Sequence, residues 1–162
     1  MMTKRRKCPE CGAGLVNRVV QHTEKVGAAI VIDGTAMVAV CEACGEYDLS
    51  VDQLAGYERR AAALVLRDGR HASGAVVRYG RKALGLRQEE LAKLLECVVE
   101  TISRWENDKV EIGRAEQLAI VALLDGVECG QLDLAEALEK LDGPPPSKGP
   151  EKLEVLPRTR AA

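Results

Sequence analysis

The residues best equipped for chemistry are four cysteines in two tight pairs, Cys8-Pro-Glu-Cys11 and Cys41-Glu-Ala-Cys44, with 29 residues between the pairs. Each CxxC unit can close into a knuckle whose backbone amides point at sulfur. Gly12 and Gly45 follow the second cysteine of each pair, where a sharp turn is required. Four soft thiolates suit a tetrahedral Zn²⁺ with Zn–S distances of about 2.3 Å. A redox dithiol pair or an iron–sulfur cluster are the alternatives. The redox reading is weaker, because one CxxC would suffice and neither pair opens a βαβ unit. With four cysteine ligands no coordination position remains for water or substrate, so the expected metal is one structural Zn²⁺ per chain, held by Cys8, Cys11, Cys41 and Cys44. His22 and His71 are not at ligand spacing from either pair and read as solvated or hydrogen-bonded histidines. Cys97 and Cys129 stand alone.

A second constellation lies in Leu84–Lys109, LGLRQEELAKLLECVVETISRWENDK. Its apolar positions, Leu84, Leu86, Leu91, Ala92, Leu95, Cys97, Ile102 and Trp105, suit two short helices packed steeply across a tight turn. Gln88 opens the first, and Thr101 to Asn107 form the second. Ile102 and Trp105 share a face and point into a core, leaving Glu100, Thr101, Ser103 and Arg104 facing outward, as groove-reading residues must. Arg78, Arg81, Lys82 and Arg87 before the pair, and Lys109 and Arg114 after it, are candidate phosphate anchors. The bland alternative is a helical bundle with a solvated polar surface.

These sites need elements to hold them. Asp33-Gly34 between the apolar runs Val26–Ile32 and Thr35–Val40 predicts a hairpin turn. Ser50 and Gln53 form a capping-box pair that opens a helix over about 51–67. Five further helices are expected at roughly 75–84, 88–95, 98–106, 114–125 and 131–141, broken at Gly85, Glu96-Cys97, 107–111 and 126–130. The resulting division is a four-cysteine β domain over 1–49, a helix and linker over 50–73, a helix-turn-helix domain over 74–141 and a disordered proline-rich tail over 142–162. The fold class is α+β: a small β-rich four-cysteine zinc domain, then an all-α five-helix domain. A β unit of about 40 residues is too small to be held by its core alone, and a metal closes that gap.

Composition narrows the function. The chain has 162 residues, a net charge of −2, one Trp, three Tyr and no Phe. So few aromatics exclude a stacking platform for single strands. The near-neutral charge excludes a uniformly basic coat, but 74–95 holds five Lys or Arg against two Glu, and 116–142 is acidic. No apolar run approaches a membrane span and no secretory h-region follows the basic start, so the chain is expected in the cytoplasm, where thiols are kept reduced. No nucleophile triad, phosphate loop or paired carboxylates stand out, so no enzyme is expected.

Residues 86–107 resemble the lambda-repressor-like (XRE) helix-turn-helix family. The CPECGAG and VCEACGEY segments resemble the YgiT-type zinc finger, and the two in this order resemble MqsA-type antitoxins. The resemblance implies a zinc domain that binds and blocks a ribonuclease-type toxin, and a helical domain that dimerises and represses the module's own promoter. It implies base contact by Arg104 and phosphate contact by Gln88 and Asn107. The DNA-binding set is Gln88, Val99, Glu100, Thr101, Ser103, Arg104, Asn107 and Lys109. The expected partners are a small toxin, a pseudo-palindromic duplex and a second copy of the chain, with no membrane. Leu118, Val121, Leu124 and Leu134 share core and dimer interface. The alternative is a stand-alone zinc-containing transcription regulator with no toxin. The chain departs from the family at Glu96 and Asp108, where Gly is usual, at Val98, where Ser or Thr caps, and at Glu100, where MqsA-type proteins favour Asn.

Overall fold

A computed structural model describes residues 7–143. The expected disordered tail therefore lies outside the described residues from 144 onward. Three antiparallel strands, β1 (Leu15–Val26), β2 (Ala29–Cys41) and β3 (Tyr47–Asp48), form one sheet in the order β1-β2-β3. Six helices follow: α1 (Val51–Asp68), α2 (Gly74–Ala83), α3 (Gln88–Leu94), α4 (Val99–Glu106), α5 (Arg114–Glu128) and α6 (Leu134–Asp142). The fold is α+β, with a β-rich cysteine unit, the connecting helix α1 and then five helices, α2 to α6.

The hairpin turns in a different place from the one expected. Its loop is Gly27-Ala28, with Val26 paired to Ala29. Gly27 supplies a positive φ of +60° at the first loop position, as a two-residue primed turn needs. The Asp33-Gly34 pair instead leads into a bulge inside β2. Val20 pairs with Ala36 and His22 with Asp33, so Gln21 alone faces Gly34 and Thr35. The Asp33 carboxylate accepts from the Thr35 amide at 2.8 Å and its hydroxyl at 2.6 Å. A turn-forming dipeptide has thus been used to bend a strand. The polar run Gln21–Lys25 lies inside β1, because its alternate residues face solvent.

Helix α1 begins as its sequence dictates. The Ser50 Oγ accepts from the Gln53 amide and the Gln53 Oε1 from the Ser50 amide. It ends at Gly69, in the left-handed region. It touches two cores. Tyr57 packs with Ala36 and Val38 on the inner face of the hairpin. Ala61, Ala62, Ala63, Val65 and Leu66 join Val76, Val77, Leu91, Ile102, Ile120 and Leu124 in the main helical core. Val26, at the turn end of the hairpin, belongs to that same core. Charge reinforces the junction. Arg60 stacks over the Tyr57 ring, 4.7 Å from its centroid, and bridges Asp33 of the bulge and Glu128 of α5, each at 2.6 Å.

Helix α5 runs through Gly126, where a break was expected. A Cβ there would lie 3.0 Å from that of Leu132, so this glycine makes room for the chain folding back into α6. Val121 and Leu124 are core residues, whereas Leu118 is exposed.

Candidate functional site

At the Leu15–Cys41 end of the hairpin the two CxxC segments form matching knuckles. The Gly12 amide donates to the Cys8 carbonyl and the Gly45 amide to the Cys41 carbonyl, both at 2.9 Å. The Cys8 amide returns to Ala13 O and the Cys41 amide to Glu46 O. Gly12 and Gly45 take φ values of +74° and +77°, which a Cβ would strain. Sheet pairing brings the knuckles together, since Leu15 faces Cys41 across the β1–β2 ladder. All four sulfurs lie within 4.8 Å of one another, with Cys8–Cys44 at 3.7 Å, Cys11–Cys41 at 3.4 Å and Cys11–Cys44 at 3.6 Å. A tetrahedron with metal–sulfur bonds of about 2.3 Å has edges of about 3.8 Å, so the spacing fits a metal ion.

The protonation chemistry of the donor set agrees. The Cys44 amide above all draws the Cys41 thiol down to about 7. Cys44 receives the Glu46 amide, which lowers it, yet the neighbouring sulfurs of Cys41 and Cys11 push it up to about 12. One thiolate forms readily and then opposes the next. A bound cation removes that conflict and lets all four ionise. The buried Cys8 and Cys41 and the exposed Cys11 and Cys44 are positioned to hold a structural metal. Neither histidine joins them. His22 is buried against Tyr57, with 5.0 Å between ring centroids, and its Nε2 lies 3.3 Å from Glu24.

Helices α3 and α4 make the helix-turn-helix. Leu91, Ala92, Ile102 and Trp105 are buried, as their spacing dictates. Glu96 in the turn has φ +50° and Asp108 after α4 has φ +53°. Both positions where the family favours Gly therefore do need the left-handed region, and this chain fills them with acidic residues at a cost of roughly 1 kcal/mol each. Val98 stands at the α4 N-cap and makes no side-chain cap. Glu100, Arg104 and Asn107, spaced by four and three, form one exposed stripe, and Lys109 is exposed beyond it. Thr101, Ser103 and Gln88 are half-buried beside the stripe, and the half-buried Val99 leans on the helical core.

Two residues expected as phosphate anchors have their hydrogen bonds taken up within the chain. Arg81 donates to both carboxylate oxygens of Glu106, at 2.5 and 3.1 Å, and to Leu86 O. Arg114 donates to the carbonyls of Leu66 and Arg67 at the end of α1. Arg87 pairs with Glu90. The residue overlooked in the sequence is Glu106. It is 4% exposed and also accepts from the Gln88 Nε2 at 2.8 Å. Burial raises its pKa most, but the bonds from Arg81 and Gln88 and the charges of Arg81 and Arg78 bring it below the ordinary glutamate value. Its place four residues after Ile102, on the apolar face, was the available signal.

Among the described residues no helix is long and apolar enough to cross a membrane. No curated protein matches the chain. A family model described as the antitoxin component of the bacterial toxin-antitoxin system, MqsA, matches residues 6–130. That span takes in both CxxC knuckles and the whole α3–α4 unit, and the chain belongs to the MqsA family of antitoxins.

Proposed function

We propose that this antitoxin blocks a ribonuclease-type toxin through its four-cysteine β unit, residues 1–49, and represses its own promoter through α3 and α4 as a homodimer in the cytoplasm. The observation that carries the reading is the coexistence, within one family match, of a four-thiol metal centre and a helix-turn-helix with an outward stripe of Glu100, Arg104 and Asn107. The four-cysteine chemistry favours one structural Zn²⁺ per chain. Zinc then acts by folding the knuckles, and the toxin contact falls to the surrounding sheet. On DNA, Arg104 reads a base edge, assisted by Glu100, Thr101 and Ser103 with Val99 beside them. Gln88, Asn107 and Lys109 meet phosphates. One such unit has few phosphate contacts, so two-fold pairing and a pseudo-palindromic operator are expected.

The test has two arms. Full-length protein is mixed with the product of any small open reading frame beside its gene, and RNA cleavage is followed. Stoichiometric loss of cleavage supports the toxin arm. An adjacent product that cleaves RNA undisturbed overturns it and leaves a stand-alone regulator. In the second arm a duplex from upstream of the gene is titrated against a scrambled duplex. Arg104→Ala is expected to cost about 1–3 kcal/mol on the first and little on the second. An unchanged ratio removes Arg104 as a reader.

A further inference from the structure

The buried Glu106 carboxylate of α4 gathers side chains from two other helices, α2 and α3. Arg81 of α2 grips both of its oxygens, and Gln88, the first residue of α3, donates to Oε2. Arg78 of α2 brings its Nε to 3.5 Å from the same oxygen, while its Nη2 donates to Glu106 O at 3.1 Å and to Asn107 Oδ1 at 3.2 Å. Asn107 is itself fixed, since its Nδ2 donates to Ser103 O at 2.7 Å. The two arginines have opposite fates. The Arg81 side chain is 12% exposed, whereas that of Arg78 is 45% exposed. Arg81 therefore neutralises the carboxylate inside, and Arg78 is oriented by it at the surface. Arg78 comes to lie at the Asn107 end of the Glu100–Arg104–Asn107 stripe.

We propose that Glu106 is a positioning residue for DNA binding, whose buried carboxylate orients Gln88 and Arg78 toward the phosphate backbone beside the groove that α4 enters. This rests on the DNA-binding reading above and adds to it a residue that never touches DNA. A long arginine searching freely loses much rotamer freedom when it meets a phosphate. One already held by a carbonyl, an amide oxygen and a nearby carboxylate loses less, and the gain appears in affinity.

The test uses the full chain, the duplex from upstream of its gene, and a series of salt concentrations at a temperature where circular dichroism shows each variant folded. Glu106→Gln keeps the shape and removes the charge. It is expected to weaken binding roughly ten-fold and to lower the magnitude of the salt slope by about one, because the lost Arg78–phosphate contact removes about 0.9 and the uncharged Gln88 contact adds nothing to the slope. Arg78→Ala is expected to lower the slope by about one in the native background and by much less in the Glu106→Gln background. A purely structural Glu106 would lower the melting temperature and leave the slope of the folded protein unchanged, which overturns the proposal. Full additivity of the two substitutions also overturns it. If Glu106→Gln does not fold, Arg78→Ala and Gln88→Ala decide, and an unchanged slope in the first together with an unchanged affinity in the second overturns it. Absence of binding by the unsubstituted chain defeats the DNA-binding reading itself, and this inference with it.

Discussion

At its Leu15–Cys41 end the β1–β2 hairpin sits beside four converging thiols, while at its Val26–Ala29 end it enters the helical core. The two ends carry similar backbone and different means of support. Val26 is fully buried, and a Cβ on the neighbouring Gly27 would lie 2.8 Å from the Val76 Cγ2. Between Cys8 and Leu15, by contrast, the only fully enclosed side chain is that of Cys8, and the exposed residues include Pro9, Glu10 and Cys11. Apolar burial can hold the first end. It cannot hold the second, where the sulfurs themselves are the core. The lesson is that one strand pair spans two folding regimes, and each can be broken without the other.

The largest expected effect comes from the cysteine end. Chelation, or Cys41→Ser, should release a metal equivalent and collapse the amide dispersion of residues 7–14 and 41–48. Structural zinc sites contribute on the order of 10 kcal/mol of apparent binding energy, far more than this segment can recover by burial. The far-ultraviolet helical signal of α2 to α6 should survive. Loss of that signal together with the metal would show that the two ends fold as one unit. Unchanged amide dispersion after metal removal would defeat the metal account.

Next in size is a cut at the other end. Leu66 is fully buried where α1 meets the helical core. Leu66→Ala should cost about 2–5 kcal/mol in denaturant unfolding of the helices. Metal affinity at the cysteine end should remain within a few-fold, and a large drop in it would show that the core props up the knuckles from a distance.

A smaller effect is expected at the seam. Burial pushes the Asp33 carboxyl up most, but the Thr35 hydroxyl and amide and the Arg60 guanidinium together hold it down at about 2. A depressed carboxyl contributes stability above its unfolded value near 4, and that contribution disappears as pH falls toward 2. Discounted for the solvent reaching the Arg60 side chain, it is worth about 1 kcal/mol. Asp33→Asn should remove that amount at neutral pH, measured by urea unfolding, and should flatten the acid limb between pH 4 and 2. An unaltered acid limb would mean that the seam is held by Tyr57, Val26 and their neighbours alone.

The sequence made the cysteine centre legible because coordination chemistry acts through local spacing, CxxC and a following Gly. The helix-turn-helix was legible because its apolar positions repeat at helical intervals. What stayed hidden depended on partners far along the chain. Asp33-Gly34 carries the composition of a turn, and only the opposition of Gly34 and Thr35 to the single Gln21 across the ladder makes a bulge there. Arg81 and Arg114 look like surface cations until Glu106, and the carbonyls at the end of α1, are found beside them. Gly126 looks like a break until Leu132 is seen to fold against it.

The smallest effect separates two residues that look alike. Glu96 and Asp108 both hold positive φ, at +50° and +53°, where glycine would be free of strain. Glu96 is exposed, and no side-chain hydrogen bond to it is found among the described residues. Glu96→Gly should therefore stabilise the helical unit by up to about 1 kcal/mol, less the entropy that glycine adds to the unfolded chain. Asp108 differs, because its Oδ1 accepts from the Gly74 amide at 2.6 Å, capping the first turn of α2. Gly74 is pressed so closely on α4 that a Cβ there would meet the Trp105 carbonyl at 2.2 Å, so no water can easily replace the carboxylate. Relief of strain in Asp108→Gly should thus be offset by the lost cap, typically about 1 kcal/mol, leaving stability level or lower. Equal stabilisation by both substitutions in thermal melts would show that the Asp108 contact contributes nothing, and that the family's glycine was given up there without compensation.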